Sequence, residues 1–585
     1  MKADKSLKTV MKKSSILFFF GALLALSVSA QQEEPELNDP HPAAQKDWQG
    51  VTSPRLGWGS TDVRYGREEV PVLSKKLSLR AWRGERVGAQ AVLVAPRALK
   101  EVSFEVSDLT CGKKRIAADR VRKYFVRYVM TDEFKNAAGE GGCGARDKTQ
   151  MDSSLVADAL DGASQMDVAA CTSRPLWLDI RVPQDAVPGK YVGKLTVKAG
   201  KAKWTLPLTL EVGSRVLPEP KDWTFHLDLW QNPYAVARYY NVPLWSQAHF
   251  DRMRPLMKQL ADAGQKVITC SIIQHPWDSQ TQDPFESMIA KIKTVDGGWK
   301  YDYTVFDRWV EFMMSVGITQ QIDCYTIVPW KYTFDYFDLS TNSVKYVACK
   351  PETKEYEEFL LPFLRDFAAH LKEKGWFSRT CIAMDERPME QLRAAYEILH
   401  RADPDFKVEG AANYYPEVEP KMYDLSVTFE HPLLDAKVLE ARRAAGRKVT
   451  FYTCCGPERP NTFTFSPPAE AAFMGWHAAA AGYDGYLRWA YNSWVSEPMQ
   501  DSRFRTWPAG DCALTYPCGS SIRLERLVQG IQDFEKIQQL KKSATPAQLK
   551  KLENVLAKFR PNSFVAEPAA ESLVKEGEAT LRSME

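Results

Sequence analysis

Two adjacent carboxylates, Asp385 and Glu386, are the residues best placed to do chemistry. They follow the apolar run Cys381-Ile-Ala-Met and precede Arg387-Pro388, where a helix can begin. Cleavage of a glycosidic bond needs an acid to protonate the departing oxygen and a group to stabilise positive charge at the anomeric carbon. Neighbours on a strand face opposite sides, but at a strand end the backbone turns and both can reach one site. Adjacent carboxylates do not suit the separated acid and nucleophile of the usual retaining pair. They suit an arrangement in which the substrate's own 2-acetamido oxygen attacks, with Asp385 steering that amide and Glu386 serving as acid and then base. The same pair would equally serve a helix start, Asp385 as cap and Glu386 in the first turn against the helix dipole.

Such a pair must be held by elements, and from about residue 223 strands and amphipathic helices alternate. Strand-like runs begin at Phe225, Lys266, Gln321, Cys381, Lys407, Asp424, Lys448 and Gly485. Between the first three lie helical patterns: Phe250, Met253, Met257 and Leu260, stopped by Gly264, and Phe306, Trp309, Met313 and Val316, stopped by Gly317. Eight strands with helices between most of them have the period of a (β/α)8 TIM barrel, whose chemistry lies at the C-terminal strand ends. An open doubly wound sheet is second choice, because no Gly-rich phosphate turn is present. Residues 50–217 read as a β-sandwich of short strands and Pro/Gly turns. Thr131 to Asp167 reads as a long loop. The expected organisation is a signal peptide (1–30), a linker (31–49), the sandwich (50–217), the barrel (218–500) and a C-terminal irregular and helical extension (501–585).

The strand ends supply the remaining candidates. Trp230, Tyr325, Trp330, Asn413, Glu430, Tyr452, Trp489, Asn492, Trp494 and Asp511 are read as substrate-binding residues. An indole ring can stack on a sugar face, Asn492 can bond hydroxyls, and Tyr325 or Tyr452 can donate to an amide carbonyl. Each can equally be core or scaffold. Glu430 is the rival carboxylate: with Glu386 as acid/base it would be the nucleophile of a conventional retaining enzyme on another sugar, and Glu458 is a weaker version of the same idea. His275 and His477 read as structural or rim residues. A set of carboxylates, amides and aromatics with almost no Lys suits a neutral polyhydroxylated ligand better than a phosphate. A glycan-binding protein on an inactive barrel is the reading from another class.

Composition narrows the field. The chain has 585 residues, 44% hydrophobic and 26% charged, with 17 Trp, which excludes a disordered or fibrous chain. The net charge is +3, and five Lys in the first thirty residues account for the excess. A near-neutral body gives no footprint for nucleic acid or an anionic membrane. Lys12-Lys13, the apolar run Ile16 to Leu26 and Val28-Ser29-Ala30 make a secretory signal and predict export, to the periplasm or outside the cell. That run is too short to span a bilayer, so no transmembrane segment is expected. The 11 Cys are spread thinly and do not form a small disulfide scaffold. Cys454-Cys455 lacks a second pair or a His cluster, so neither metal nor cofactor is expected.

Several stretches together resemble glycoside hydrolase family 123: Ala383-Met-Asp-Glu-Arg-Pro, Tyr452-Thr-Cys-Cys-Gly-Pro, Gly475-Trp-His, Gly485-Tyr-Leu-Arg-Trp-Ala-Tyr-Asn-Ser-Trp, Gly510-Asp-Cys-Ala-Leu-Thr-Tyr-Pro and Ser521-Ile-Arg-Leu-Glu. The resemblance covers about 223 to 540. It implies an exported bacterial β-N-acetylgalactosaminidase, exo-acting and retaining. Substrate-assisted catalysis would pass through an oxazolinium intermediate, with Asp385 orienting the acetamido group and Glu386 as acid/base. The substrate would be a glycan ending in β-linked GalNAc.

Overall fold

Eight short apolar runs form one parallel sheet in the computed structural model, which describes residues 34–42, 45–134, 151–412, 414–560 and 569–585. The strands are β1 (His226–Leu229), β2 (Val267–Ser271), β3 (Gln321–Tyr325), β4 (Thr380–Met384), β5 (Lys407–Ala411), β6 (Asp424–Thr428), β7 (Lys448–Tyr452) and β8 (Gly485–Arg488). Their hydrogen-bonded order is β1-β8-β7-β6-β5-β4-β3-β2. This is a nearly closed, barrel-like sheet, and the eight runs expected from the sequence are its strands. Residues pointing outward, such as Ile268, Ile322, Ile382, Leu425 and Phe451, share one core with the surrounding helices.

Closure between β1 and β2 relies on side-chain amides. The Lys266 N–H reaches the Leu227 carbonyl at 3.0 Å. The Leu229 N–H donates to Gln265 Oε1 at 2.9 Å, and the Thr269 N–H to Gln231 Oε1 at 2.9 Å. Two glutamines thus take the place of a missing run of ladder bonds, which keeps buried backbone groups paired.

Helices fill most of the connections: α1 (Pro233–Tyr240), α2 (Gln247–Asp262), α3 (Thr304–Val316), α4 (Lys354–Glu373), α5 (Met389–Ala402), α6 (Ala436–Ala444), α7 (Pro468–Ala481) and α8 (Ile522–Lys541). Gly317 ends α3 at φ 110°, a left-handed conformation that glycine adopts without strain. A four-stranded sheet not expected from the sequence is inserted after β2 and β3, built from Ala290–Lys293, Trp299–Asp302, Thr333–Asp338 and Ser343–Ala348. Its short strands have a weak apolar signal, since their residues are mostly half-exposed. Trp299 packs edge-on against Phe359 of α4, with ring centroids 5.4 Å apart. The insertion matters because Trp330 lies on the loop that enters its third strand.

The N-terminal region is sheet-rich. A six-stranded antiparallel sheet contains Arg86–Ala95, Val121–Phe134, Met151–Asp161 and Thr172–Arg181, and a second sheet contains Leu77–Arg83, Leu99–Val106, Gly189–Ala199 and Ala202–Val216. Residues of both, among them Leu93, Phe104, Phe125, Leu178, Leu195 and Leu208, share one apolar core. Part of the stretch expected as a long loop is therefore strand: 125–134 pairs with 151–161. Its Gly- and Ala-rich middle, 135–150, lies outside the described residues, as does the signal segment. The stretch expected as a linker is anchored at Glu36, which ion-pairs with the buried Arg174 at 2.6 Å.

After β8 the chain returns to this region. Gly519–Ser521 pairs with residues 159–161, and α8 follows and packs on α7. Then α9 (Pro546–Leu556) and α10 (Ala569–Arg582) complete the chain, and α10 buries Ala570, Val574 and Leu581. Among the described residues no helix is long and apolar enough to cross a membrane.

Candidate active site

The C-terminal ends of the strands and the loops beyond them form one cleft. Trp230 follows β1, Asp385 and Glu386 follow β4, Tyr452 ends β7, Trp489 follows β8, and Trp330 and Asp511 come from longer loops; all seven line it. The helix-cap alternative does not hold. Helix α5 starts at Met389 with Pro388 as its cap residue, and no side chain caps it. Asp385 and Glu386 thus sit in the turn between strand and helix, free of a capping role.

Each carboxylate has its own partner. The Trp330 indole N–H donates to Asp385 Oδ2 at 2.8 Å, and the Glu386 backbone N–H donates to Asp385 Oδ1 at 2.9 Å. The Tyr452 hydroxyl donates to Glu386 Oε1. Burial, and then the charge of Glu386 next door, push the Asp385 carboxyl up to about 6, against the smaller opposing effects of the Trp330 and backbone N–H groups. Burial and the Glu386 charge also raise the Tyr452 phenol far above its ordinary range, so it remains a donor. Arg387 is buried beneath this pair: its guanidinium lies 4.8 Å from the Trp330 ring centroid and donates to the Tyr332 hydroxyl at 2.6 Å. Tyr332 in turn donates to Gln391 of α5 at 2.6 Å. The rotamer of Trp330 is thereby tied to α5.

Aromatic rings make the walls and floor. Trp230 and Trp277 stack with centroids 5.0 Å apart, and Trp489 meets Trp507 edge-on at 6.0 Å. Trp277, Gln280 and Trp507 line the cleft and were missed in the sequence reading. Trp277 and Gln280 lie on the loop beyond β2 and Trp507 on the loop beyond β8. The available signal was their position, since loops after barrel strands surround the mouth. The Trp507 indole N–H bonds the Gln280 carbonyl at 2.9 Å, which joins the two loops.

Other expected site residues are placed elsewhere. Tyr325 is fully buried below the cleft, where its hydroxyl donates to Glu409 Oε2 at 3.0 Å. Asn492 is spent on the backbone of Asn232, accepting from its N–H at 2.9 Å and donating to its carbonyl at 2.8 Å. The Trp494 indole donates to the Thr515 carbonyl at 2.9 Å, and its ring packs on Tyr239. Tyr325 fills the interior beside Trp230 and Trp277, whereas Asn492 and Trp494 are buried because the chain folds back after β8. Asp511 lines the cleft but is ion-paired with fully buried Arg488 at 2.8 Å, so its first duty is to hold the loop. Glu430 lies at the surface, outside the residues lining the cleft; partial loss of solvent around its carboxyl, and then Glu458, raise it. Asn413 lies outside the described residues. His477 bonds the Phe559 carbonyl at 2.7 Å among aromatic rings, and burial lowers it to about 4. His275 is exposed on the loop beyond β2. Cys455 is disulfide-bonded, and Cys454 is a free thiol that burial pushes up to about 12.

A cleft with two carboxylates of different environment and a ring of indoles can bind a sugar and move a proton, as glycoside hydrolysis requires. Comparison with known proteins agrees. The chain is similar over 91% of its length to a family 123 glycoside hydrolase from Clostridium perfringens, solved in a study of glycolipid glycan hydrolysis; the match covers 98% of that chain at 25% identity and a TM-score of 0.82. A GH10 xylanase with a bacterial Ig-like domain from termite gut matches at 12% identity over 79% of this chain and 100% of that one, but with a TM-score of 0.32. No match was found among curated proteins. Residues 58–199 match the glycoside hydrolase 123 N-terminal domain, and 230–540, more than half of the chain, match the glycoside hydrolase 123 catalytic domain. The chain belongs to glycoside hydrolase family 123.

Proposed function

We propose that the protein is an exo-acting, retaining β-N-acetylgalactosaminidase that removes terminal β-linked GalNAc from glycans by substrate-assisted catalysis. The observation that carries this reading is the pair at the end of β4. Asp385 and Glu386 are sequence neighbours facing one cleft, and each is fixed by a different donor. Glu386 protonates the leaving oxygen while the acetamido oxygen attacks the anomeric carbon. The C–O bond to the aglycone breaks as the oxazolinium ring closes, with Asp385 holding the amide and bearing against its positive charge. Glu386, now a carboxylate, takes a proton from water as that water opens the ring, and configuration is retained. Asp385 must be ionised for its part, and the Trp330 N–H favours that form. The glycolipid context of the Clostridium perfringens relative supports glycolipid oligosaccharides as a substrate class here.

The N-terminal sheets we read as a β-sandwich on the strength of their shared core, bracing the barrel through the pairing of Gly519–Ser521 and the Asp158–Arg523 ion pair. The signal-like N-terminus supports export to the periplasm or medium. A thiazoline analogue of GalNAc, which mimics the cyclised intermediate, tests the mechanism. It is expected to compete with substrate at least 100-fold more tightly than GalNAc itself binds. Failure to compete would exclude acetamido participation.

A further inference from the structure

Beneath the floor of the cleft, the barrel interior holds carboxylates that the reaction above does not use. Asp228 of β1, Asp323 of β3 and Glu409 of β5 each offer an oxygen, and these oxygens all lie within 4.8 Å of one another. The side chains are buried, none more than 2% exposed. The charges bearing most strongly on them are one another, Asp424 and His226. His226 is engaged with Asp424 at 2.8 Å. Three like charges so close in a low-dielectric interior cannot all stay ionised unless a cation joins them.

Each carboxylate is held by a side-chain donor. The Trp230 indole N–H donates to Asp228 Oδ2 at 3.2 Å, and the Tyr325 hydroxyl to Glu409 Oε2 at 3.0 Å. Gln321 Nε2 donates to both oxygens of Asp323, at 3.0 and 3.1 Å. The other oxygens, Asp228 Oδ1 and Glu409 Oε1, are buried and have no hydrogen-bond partner among the described residues. The Gln265 amide beside Asp228 bears on it only as the smallest of its influences, its N–H groups bonding the Leu229 and Val267 carbonyls. For Asp228 and Glu409 a donor orients one oxygen and leaves the other bare, the outer support that metal ligands use.

We propose that Asp228, Asp323 and Glu409 bind one hard divalent cation of the calcium or manganese class inside the barrel. An all-oxygen donor set selects such ions over softer ones. Oxygens about 2.3–2.6 Å from one calcium ion lie at most roughly 5 Å apart, so oxygens within 4.8 Å of one another can share an ion. The ion would act as a structural strut. Trp230 and Tyr325, which steady its ligands, pack against each other at 4.4 Å, and Trp230 forms part of the cleft floor.

The proposal stands apart from the sugar specificity, and its test does not depend on turnover. The full chain is dialysed against EDTA, then against Ca2+ or Mn2+, and its metal content and melting temperature are measured. About one ion per chain and a higher melting temperature with Ca2+ are expected. Tb3+ in the same site should emit on indole excitation, since Trp230 sits on a ligand, and Ca2+ should quench that emission. Glu409→Gln should weaken binding by about 100-fold. Less than about 0.1 ion per chain with no Ca2+-dependent melting shift would overturn the proposal, as would unchanged affinity in folded Glu409→Gln. If that variant does not fold, the wild-type stoichiometry and the competed Tb3+ emission decide the matter alone.

Discussion

Asp385 and Trp330 make a unit whose chemistry is set by one hydrogen bond. Burial and Glu386 push Asp385 up to about 6, and the Trp330 N–H opposes them. A raised carboxyl is protonated below its shifted value, so kcat/KM should fall as pH drops through about 6. Trp330→Phe keeps a ring over Arg387 but removes the donor. The acid limb of the pH profile should then move up by about 0.5–1 unit, with the alkaline limb unmoved. A uniform loss of activity with no shift would mean that Trp330 only fills space. From spacing alone the carboxylate pair reads equally as a helix start; the ordered motifs around it, which resemble the family, single it out, and both side chains line the cleft. Tyr325, Asn492 and Trp494 were not separable from true cleft residues. Each also stands at or just beyond a strand end, and only the path of the backbone decides whether such a side chain meets solvent, as Trp489 does, or a neighbour's carbonyl, as Trp494 does.

Among the elements, several residues that carry the family resemblance are scaffold. Gly475 on α7 faces Gly530 on α8 so closely that a Cβ there would stand 2.0 Å from the Gly530 carbonyl oxygen. Trp476 beside it donates to Asp533 of α8 at 3.1 Å, and His477 holds Phe559. Gly475→Ala must push the two helices apart, at a cost of about 1–3 kcal/mol in urea unfolding. Activity per folded molecule should change little; full stability would show that the crossing is loose. The eight strands were legible because each is a short apolar run followed by a polar turn. The inserted sheet was not, because its half-exposed strands have no such run, and it is this sheet that brings Trp330 to Asp385.

Across the whole molecule, one buried cluster joins the N-terminal sheets to the end of the catalytic domain. Asp158, fully buried, bonds Arg523 Nε at 2.8 Å, Arg64 at 2.9 Å and the Tyr516 hydroxyl at 2.7 Å. Despite the cost of burial, these partners hold the Asp158 carboxyl below its usual 3.8. Its contribution is therefore present above about pH 4 and lost as pH falls through the lower folded value. Asp158→Ala leaves two guanidinium groups without their shared partner and should cost about 3–5 kcal/mol at pH 7. It should also flatten the loss of stability below pH 4. Equal stability of variant and wild type would show that the two regions do not depend on each other. The order of sheet-rich region and barrel could be read from texture along the chain. The return of Gly519–Ser521 to the first region could not, since three small residues carry no strand signal.

The most direct test of the account is hydrolysis of aryl β-GalNAc, aryl β-GlcNAc and aryl β-galactoside by the wild type and by Asp385→Asn. The account predicts turnover of the GalNAc glycoside alone, reduced at least 100-fold in the variant, which keeps the shape of the site and loses its charge. Turnover of the plain galactoside, undiminished in Asp385→Asn, would contradict it, because that sugar has no acetamido group to attack with and a protein nucleophile would have to do so.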